Sequence, residues 1–235
     1  MTSRSQNLIV GIAIAIGVPL LTVFAPLVYF GLPVTSRVVD AATGQPLAGV
    51  TVVAYCTLSG AHGLTSEQAM VMEAVTDKDG GFHFPWWGPS FASGRLRAAE
   101  CPSLLFYKNG YRNAFRGNEG LGTLAYRTPP MVHYLDHQDK PSKIEKLTGG
   151  VEEEFVEFRK LNDRLKNIVT SESPCEWRSI PRTIKHLIDL RKYFVANGKN
   201  KFEFNSLDRH LLGNERYFRD HGCGSGENFY ESLIK

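Results

Sequence analysis

A chain of 235 residues, 43% hydrophobic and 22% charged, is long enough for one large or two small domains and too apolar for intrinsic disorder. Its formal charge of +3 includes Arg4, the only charged side chain among the first 31 residues, which leaves +2 spread over both signs in the remainder. That distribution lacks the basic footprint nucleic acid requires, so no nucleic-acid partner is expected.

From Leu8 to Phe30 the chain runs 23 residues without a charge, about 34 Å as a helix against a hydrocarbon core of about 30 Å. This predicts a cytoplasmic N-terminus over 1–7 and a transmembrane helix, a retained signal anchor, over 8–30. The alternative is a cleaved signal peptide, for which Val34-Thr35-Ser36 is the best but a poor small-x-small site. Pro19 and Pro26 would kink the helix. Cys56, Cys101, Cys175 and Cys223 form an even set without a C-x-x-C pair, which fits disulfides in an oxidising compartment better than a zinc site. The part beyond the anchor is therefore expected outside the cytoplasm, in the periplasm of a cell with an inner membrane. Four cysteines allow three pairings. Domain logic favours Cys56 with Cys101 and Cys175 with Cys223, while four buried thiols are the bland alternative.

Two β-branched runs, Ser36 to Asp40 and Val50 to Tyr55, flank the turn Thr43-Gly44-Gln45-Pro46-Leu47-Ala48-Gly49. Val50, Val52 and Ala54 share one side of a pleat and Thr51, Val53 and Tyr55 the other, so neither face is strongly polar, as suits a strand inside a sandwich. The pattern resumes at Glu73 to Thr76, turns through Asp77-Lys78-Asp79-Gly80-Gly81 and returns as Phe82-His83-Phe84-Pro85, which reads as a hairpin. The order Val-Val-Asp, Thr-Gly-x-Pro-Leu-x-Gly-Val-x-Val, Thr-Asp-x-x-Gly-x-Phe-x-Phe-Pro, with a later strand Leu104 to Tyr107 leading to Gly110-Tyr111, resembles the carboxypeptidase regulatory-like domain. The resemblance implies a transthyretin-like, seven-stranded β-sandwich over 33–135. That family is an accessory module beside many activities, so the likeness implies a fold and no reaction. Ser36, where the family usually carries Gly, and the insertion from Cys56 to Gln68 depart from its pattern.

The insertion reads as a sandwich-end loop running into a strand. A second loop holds Trp86, Trp87 and Phe91; exposed, these rings would stack on a sugar or a partner, and buried they would plug the sandwich end. Arg95 to Ala99 and Leu104 to Tyr107 read as strands, Asn113 to Arg127 as an exposed loop, Met131 to Leu135 as the closing strand, and 136–150 as a linker.

Beyond the linker the period changes. Phe155, Phe158, Leu161, Leu165 and Ile168 recur every three or four residues, predicting an amphipathic helix over 151–169 with Glu152, Glu153 and Glu154 in its first turn. A second helix is expected over 181–196, with Pro181 at its start, Ile184, Leu187, Ile188 and Tyr193 on its apolar side, and Asn197-Gly198 after it. A helical turn over 206–212 and a last segment through Phe229, Tyr230 and Leu233 complete a helical, disulfide-tied region, 151–235, whose stripe must be covered by the sandwich or by another chain. The expected fold class is thus mainly β then α, after an N-terminal transmembrane helix.

No histidine begins an H-x-x-E or H-E-x-x-H motif, and His133 and His137, four apart at a strand end, do not converge on one ion. Asp77-Lys78-Asp79-Gly80 is a turn rather than a calcium loop, because Gly88 stands where a bidentate Glu is needed. No serine sits in G-x-S-x-G, Cys223 reads as half of a disulfide, and the phosphate-cradling Gly-rich motif is missing. Neither metal, cofactor nor catalytic residue is expected. The sequence points to a non-catalytic, membrane-anchored envelope protein whose sandwich is a structural or protein-interaction module. The alternative is a cell-wall glycan-binding module using Trp86, Trp87 and Phe91, and a hydrolase using His133, His137 or Cys223 is a third reading.

Overall fold

Nine strands precede two α-helices in the computed structural model, which describes residues 28–31, 33–59, 66–91, 97–117, 141–166, 175–199 and 219–224. The strands are β1 (Val28–Gly31), β2 (Val34–Asp40), β3 (Thr51–Ser59), β4 (Ser66–Val75), β5 (Gly81–Phe84), β6 (Trp87–Phe91), β7 (Arg97–Tyr107), β8 (Ala114–Arg116) and β9 (Ser142–Ile144). The helices are α1 (Gly150–Lys166) and α2 (Pro181–Ala196), separated by a 3₁₀ turn at Glu176–Ser179.

The order β4-β3-β7-β8 makes a four-stranded sheet and β5-β2-β9 a three-stranded one, while β1 and β6 form a separate ribbon. Val52, Ala54, Leu104 and Phe106 of the larger sheet pack with Val38, Phe82, Phe84 and Ile144 of the smaller. Phe82 sets its ring edge-on to Phe106 at 5.9 Å. The opposite face of the larger sheet, with Val53, Val71, Leu105 and Tyr107, is also buried, because Phe158, Leu161, Ile184 and Leu187 of the helices lie on it. The described chain is therefore layered sheet on sheet on helices, and β3 runs through the middle layer. Its two apolar faces answer to two different partners. Burial of each large apolar side chain of α1 is worth about 1.5–3 kcal/mol, so the four buried residues Phe155, Phe158, Leu161 and Leu165 hold the helical layer firmly.

Several expectations change. The turn Asp77–Gly81 does not close a hairpin: β4 pairs with β3 and β5 pairs antiparallel with β2, so the chain crosses between sheets. Asp77 Oδ1 accepts the Asp79 and Gly81 amides at 2.9 and 2.8 Å, and the Val38 amide donates to the Gly80 carbonyl at 2.8 Å. Gly80 has φ +74°, and a Cβ there would meet the Val38 carbonyl oxygen at 2.5 Å, so this approach to β2 demands glycine. Part of the expected insertion loop is strand, since β3 and β4 extend as a pair to Ser59 and Ser66. The expected loop after Asn113 begins with β8, and the expected linker contains β9, which runs parallel to β2. Three-residue strands are too short to show a period, and their pairing comes from the sheet edges beside them.

At the N-terminus, 28–30, expected as the end of a transmembrane helix, form β1, antiparallel to β6 with Val28 opposite Phe91 and Gly31 opposite Trp87. A β-branched and aromatic run after Pro26 favours strand over helix. The rest of the expected span lies outside the described residues, as do Met131–Leu135, His133, His137, Ile168, the turn over 206–212 and the segment from Phe229. No helix among the described residues is long and apolar enough to cross a membrane.

Cys175 and Cys223 are joined in a disulfide, as domain logic favoured. Cys56 is disulfide-bonded as well; the side chain of Cys101, its expected partner, is outside the described set.

Candidate functional site

Helix α2 starts at Pro181 without a side-chain cap of its own, since Ile180 occupies the N-cap. The cap comes from the sheet. Glu73 on β4 accepts the Arg182 amide at 3.0 Å, the Thr183 amide at 2.7 Å and the Thr183 hydroxyl at 2.6 Å. A carboxylate at a helix N-terminus satisfies orphan amides and meets the positive end of the dipole. Thr183 in turn accepts the Tyr107 hydroxyl at 2.8 Å. Burial pushes the Tyr107 phenol well above its ordinary pKa, with the Thr183 hydrogen bond opposing. This buried chain fixes the rotation of α2 on the sheet.

With α2 so placed, His186 stacks on the Tyr107 ring at 4.7 Å and 25°. Burial pushes its pKa down to about 4, with Asp189 pulling the other way, so the imidazole is neutral at pH 7. Beside it opens a cleft of about 430 Å³, within the range of small-ligand sites. Its floor includes Phe158, Leu161, Leu190 and the buried Glu157, and its rim holds Glu154, Asp189 and Tyr193 of the helices. The third wall is the β7–β8 turn, Lys108 to Asn113.

That turn is held from both sides. The Tyr111 amide donates to the Lys108 carbonyl at 3.0 Å, and from the strand side the Leu147 amide donates to the Gly110 carbonyl at 2.8 Å. From the helix side, Glu157 Oε2 accepts the Asn113 amide at 2.9 Å and the Glu157 carbonyl accepts Asn113 Nδ2 at 2.6 Å. Lys160 Nζ contacts Glu157 Oε1 at 2.7 Å. Glu153 closes the start of α1 by accepting the Gly149 and Thr148 amides and pairing with Arg112. These amides, Gly149 first, hold its carboxyl below the usual range, with Arg112 contributing. The cleft is thus framed by hydrogen bonds from both sides. Its imidazole is neutral well above pH 4, and the carboxylate of Glu157 is committed to the frame.

The sequence-selected aromatics separate. Trp86, at 61% exposure, projects from the joint between β5 and β6, whereas Trp87 is half-buried against the inter-sheet core. A Cβ at Gly31 would collide with the Trp87 indole, so glycine is what lets the ribbon close over it. Phe91 pairs with Val28 in the ribbon, and its side chain is outside the described set. Of these two tryptophans, Trp86 is exposed and Trp87 is not. On the tail, Phe158 and Leu165, expected as a possible contact surface for another chain, are 2% and 5% exposed and packed internally. Tyr193, expected on the apolar side of α2, is 41% exposed at the cleft, and Phe194 takes the buried place.

The sequence reading placed Phe158, Leu161 and Tyr193 on apolar helix stripes and passed over the cleft itself, with His186, Glu157 and Leu190. A signal was present in α2, where His186, Leu190 and Tyr193 follow Thr183 at helical spacing, a half-polar stripe beside the apolar one. No protein-family model matches the chain, and no curated protein matches it significantly.

Proposed function

We propose that the chain is a non-catalytic, membrane-anchored envelope protein of the carboxypeptidase regulatory-like class, whose transthyretin-like sandwich and docked helices form a protein-interaction module. Two sheets packed face to face support the class, and the disulfides fit an oxidising, periplasmic setting. With 28–30 in a strand, the charge-free run from Leu8 to Leu27 still has 20 residues, about 30 Å as a helix, enough for a single-pass anchor in an inner membrane.

The observation that carries the interaction reading is the cleft. Both helices direct their apolar stripes onto the sheet, so partner contact falls to the opening beside them. His186 is stacked on Tyr107 and Glu157 is held by Asn113 and Lys160, which favours binding over proton transfer. The test is photo-cross-linking in intact cells from a photoreactive amino acid at Tyr193, with Trp86 as the second site. A discrete adduct from position 193 supports the reading, and adducts from position 86 alone refute it.

The exposed Trp86 favours a second reading, binding of cell-wall glycan, in which one ring stacks on a sugar face. Co-sedimentation of the protein with purified sacculi, lost in Trp86→Ala, would support it. Equal sedimentation of parent and variant would remove its basis.

A further inference from the structure

We propose that the cleft between the β7–β8 turn and the helices receives an alkyl-ammonium or guanidinium group. This rests on the interaction reading above and gives its partner a chemistry. The cleft combines an apolar floor, Phe158 and Leu161, with Tyr193, 41% exposed, and the carboxylates of Glu154 and Asp189. An aliphatic stem ending in a cation matches that order, the stem covering the floor and the charge meeting the Tyr193 ring and the carboxylates.

The charges already present leave one carboxylate open. Glu157 holds Lys160, and Asp189 lies 3.5 Å from Lys185. Lys108, the cation of the lining, sends its Nζ to the Ala48 carbonyl at 2.7 Å, toward the β2–β3 turn. Arg112 is engaged by Glu145 and Glu153. Glu154, half-buried on the same face of α1 as Phe158 and Leu161, has no hydrogen-bond or ion-pair partner among the described residues. His186 adds no competing charge at pH 7, being neutral on Tyr107. An incoming cation therefore completes the charge pattern, whereas an anion meets unpaired carboxylate.

The experiment is a methyl-NMR titration of the full chain in detergent micelles, reading Leu161 and Leu190. The probes are n-butylammonium, n-butanol, butyrate and the capped peptide Gly-Gly-Lys-Gly-Gly. The expected result is saturable shifts with butylammonium, weaker shifts with butanol, none with butyrate, and about fivefold weaker butylammonium binding in Glu154→Gln. At least tenfold tighter binding of the peptide than of butylammonium assigns the cation to a protein side chain, and equal binding assigns it to a small free amine. Equal binding of butanol, or unchanged affinity in Glu154→Gln, overturns the cation inference. So does absence of all shifts. If position 193 still cross-links a partner in that case, the interaction reading survives; if it does not, both fall.

Discussion

Replacing Glu73 should uncouple α2 from the sheet, because this one carboxylate supplies the helix with a cap that its own sequence lacks. Loss of an N-cap costs about 0.5–2 kcal/mol. The fully buried Thr183 additionally loses the acceptor for its hydroxyl, about 1 kcal/mol more. Glu73→Ala is therefore expected to destabilise the fold by about 1.5–3 kcal/mol, or roughly 3–12 °C in Tm for a chain of this size. Glu73→Gln keeps the shape and one neutral acceptor and should lose about 1 kcal/mol. Urea unfolding followed by circular dichroism measures both. A double-mutant cycle with Thr183→Val should return a coupling of at least about 1 kcal/mol, since the two side chains touch. A Glu73→Ala variant within about 0.5 kcal/mol of the parent, with no coupling to Thr183, would refute the claim that the sheet caps the helix.

Other expectations follow from the same packing. Phe158→Ala should cost about 3–5 kcal/mol in urea unfolding, as a ring removed from between sheet and helices leaves a cavity; a change under 1 kcal/mol would place Phe158 outside the core. His186 has a folded pKa of about 4 against an ordinary 6.5, so between these values the unfolded chain binds more protons and stability falls as pH drops from 6.5 to 4. The loss should approach about 3 kcal/mol and be absent in His186→Phe, and an equal pH profile in that variant would rule out His186 as its source. Cys223→Ala opens a loop closed across 48 residues and should cost about 2–4 kcal/mol in the oxidised protein, and clearly less in the reduced protein, where the bridge is already gone. Ser36 has a buried hydroxyl without a hydrogen-bond partner among the described residues, so Ser36→Ala should raise stability by about 1 kcal/mol, and a loss would show that the hydroxyl is solvated or bonded in solution.

What could be read from the sequence was what repeats. The two helices were legible because Phe155, Phe158, Leu161 and Leu165 keep a helical period, and Pro181 and Asn197-Gly198 mark the ends of α2. The two apolar faces of β3 were legible too, but a period cannot say what covers a face. One face meets a sheet and the other meets helices that follow only after β9. The turn at Asp77–Gly81 misled because its residues encode a tight reversal without encoding which strands flank it; the Val38–Gly80 hydrogen bond decides that. The cleft was the least legible part. Its walls come from β7–β8, α1 and α2, and its rigidity depends on Glu157 reaching Asn113 and on Glu73 reaching Thr183, pairings separated by 44 and 110 residues. An uncapped start at Ile180-Pro181 was the local sign that a carboxylate had to arrive from elsewhere.

The helical pair covers the second face of the four-stranded sheet within one chain, and the cleft opens at its edge. Methyl NOESY on the protein with Ile, Leu and Val methyls labelled tests it directly. Cross-peaks from Ile184 and Leu187 to Val53 and Leu105 are expected, and they should persist on dilution and be absent between differently labelled chains. Cross-peaks found only between chains, or none at all, would contradict it.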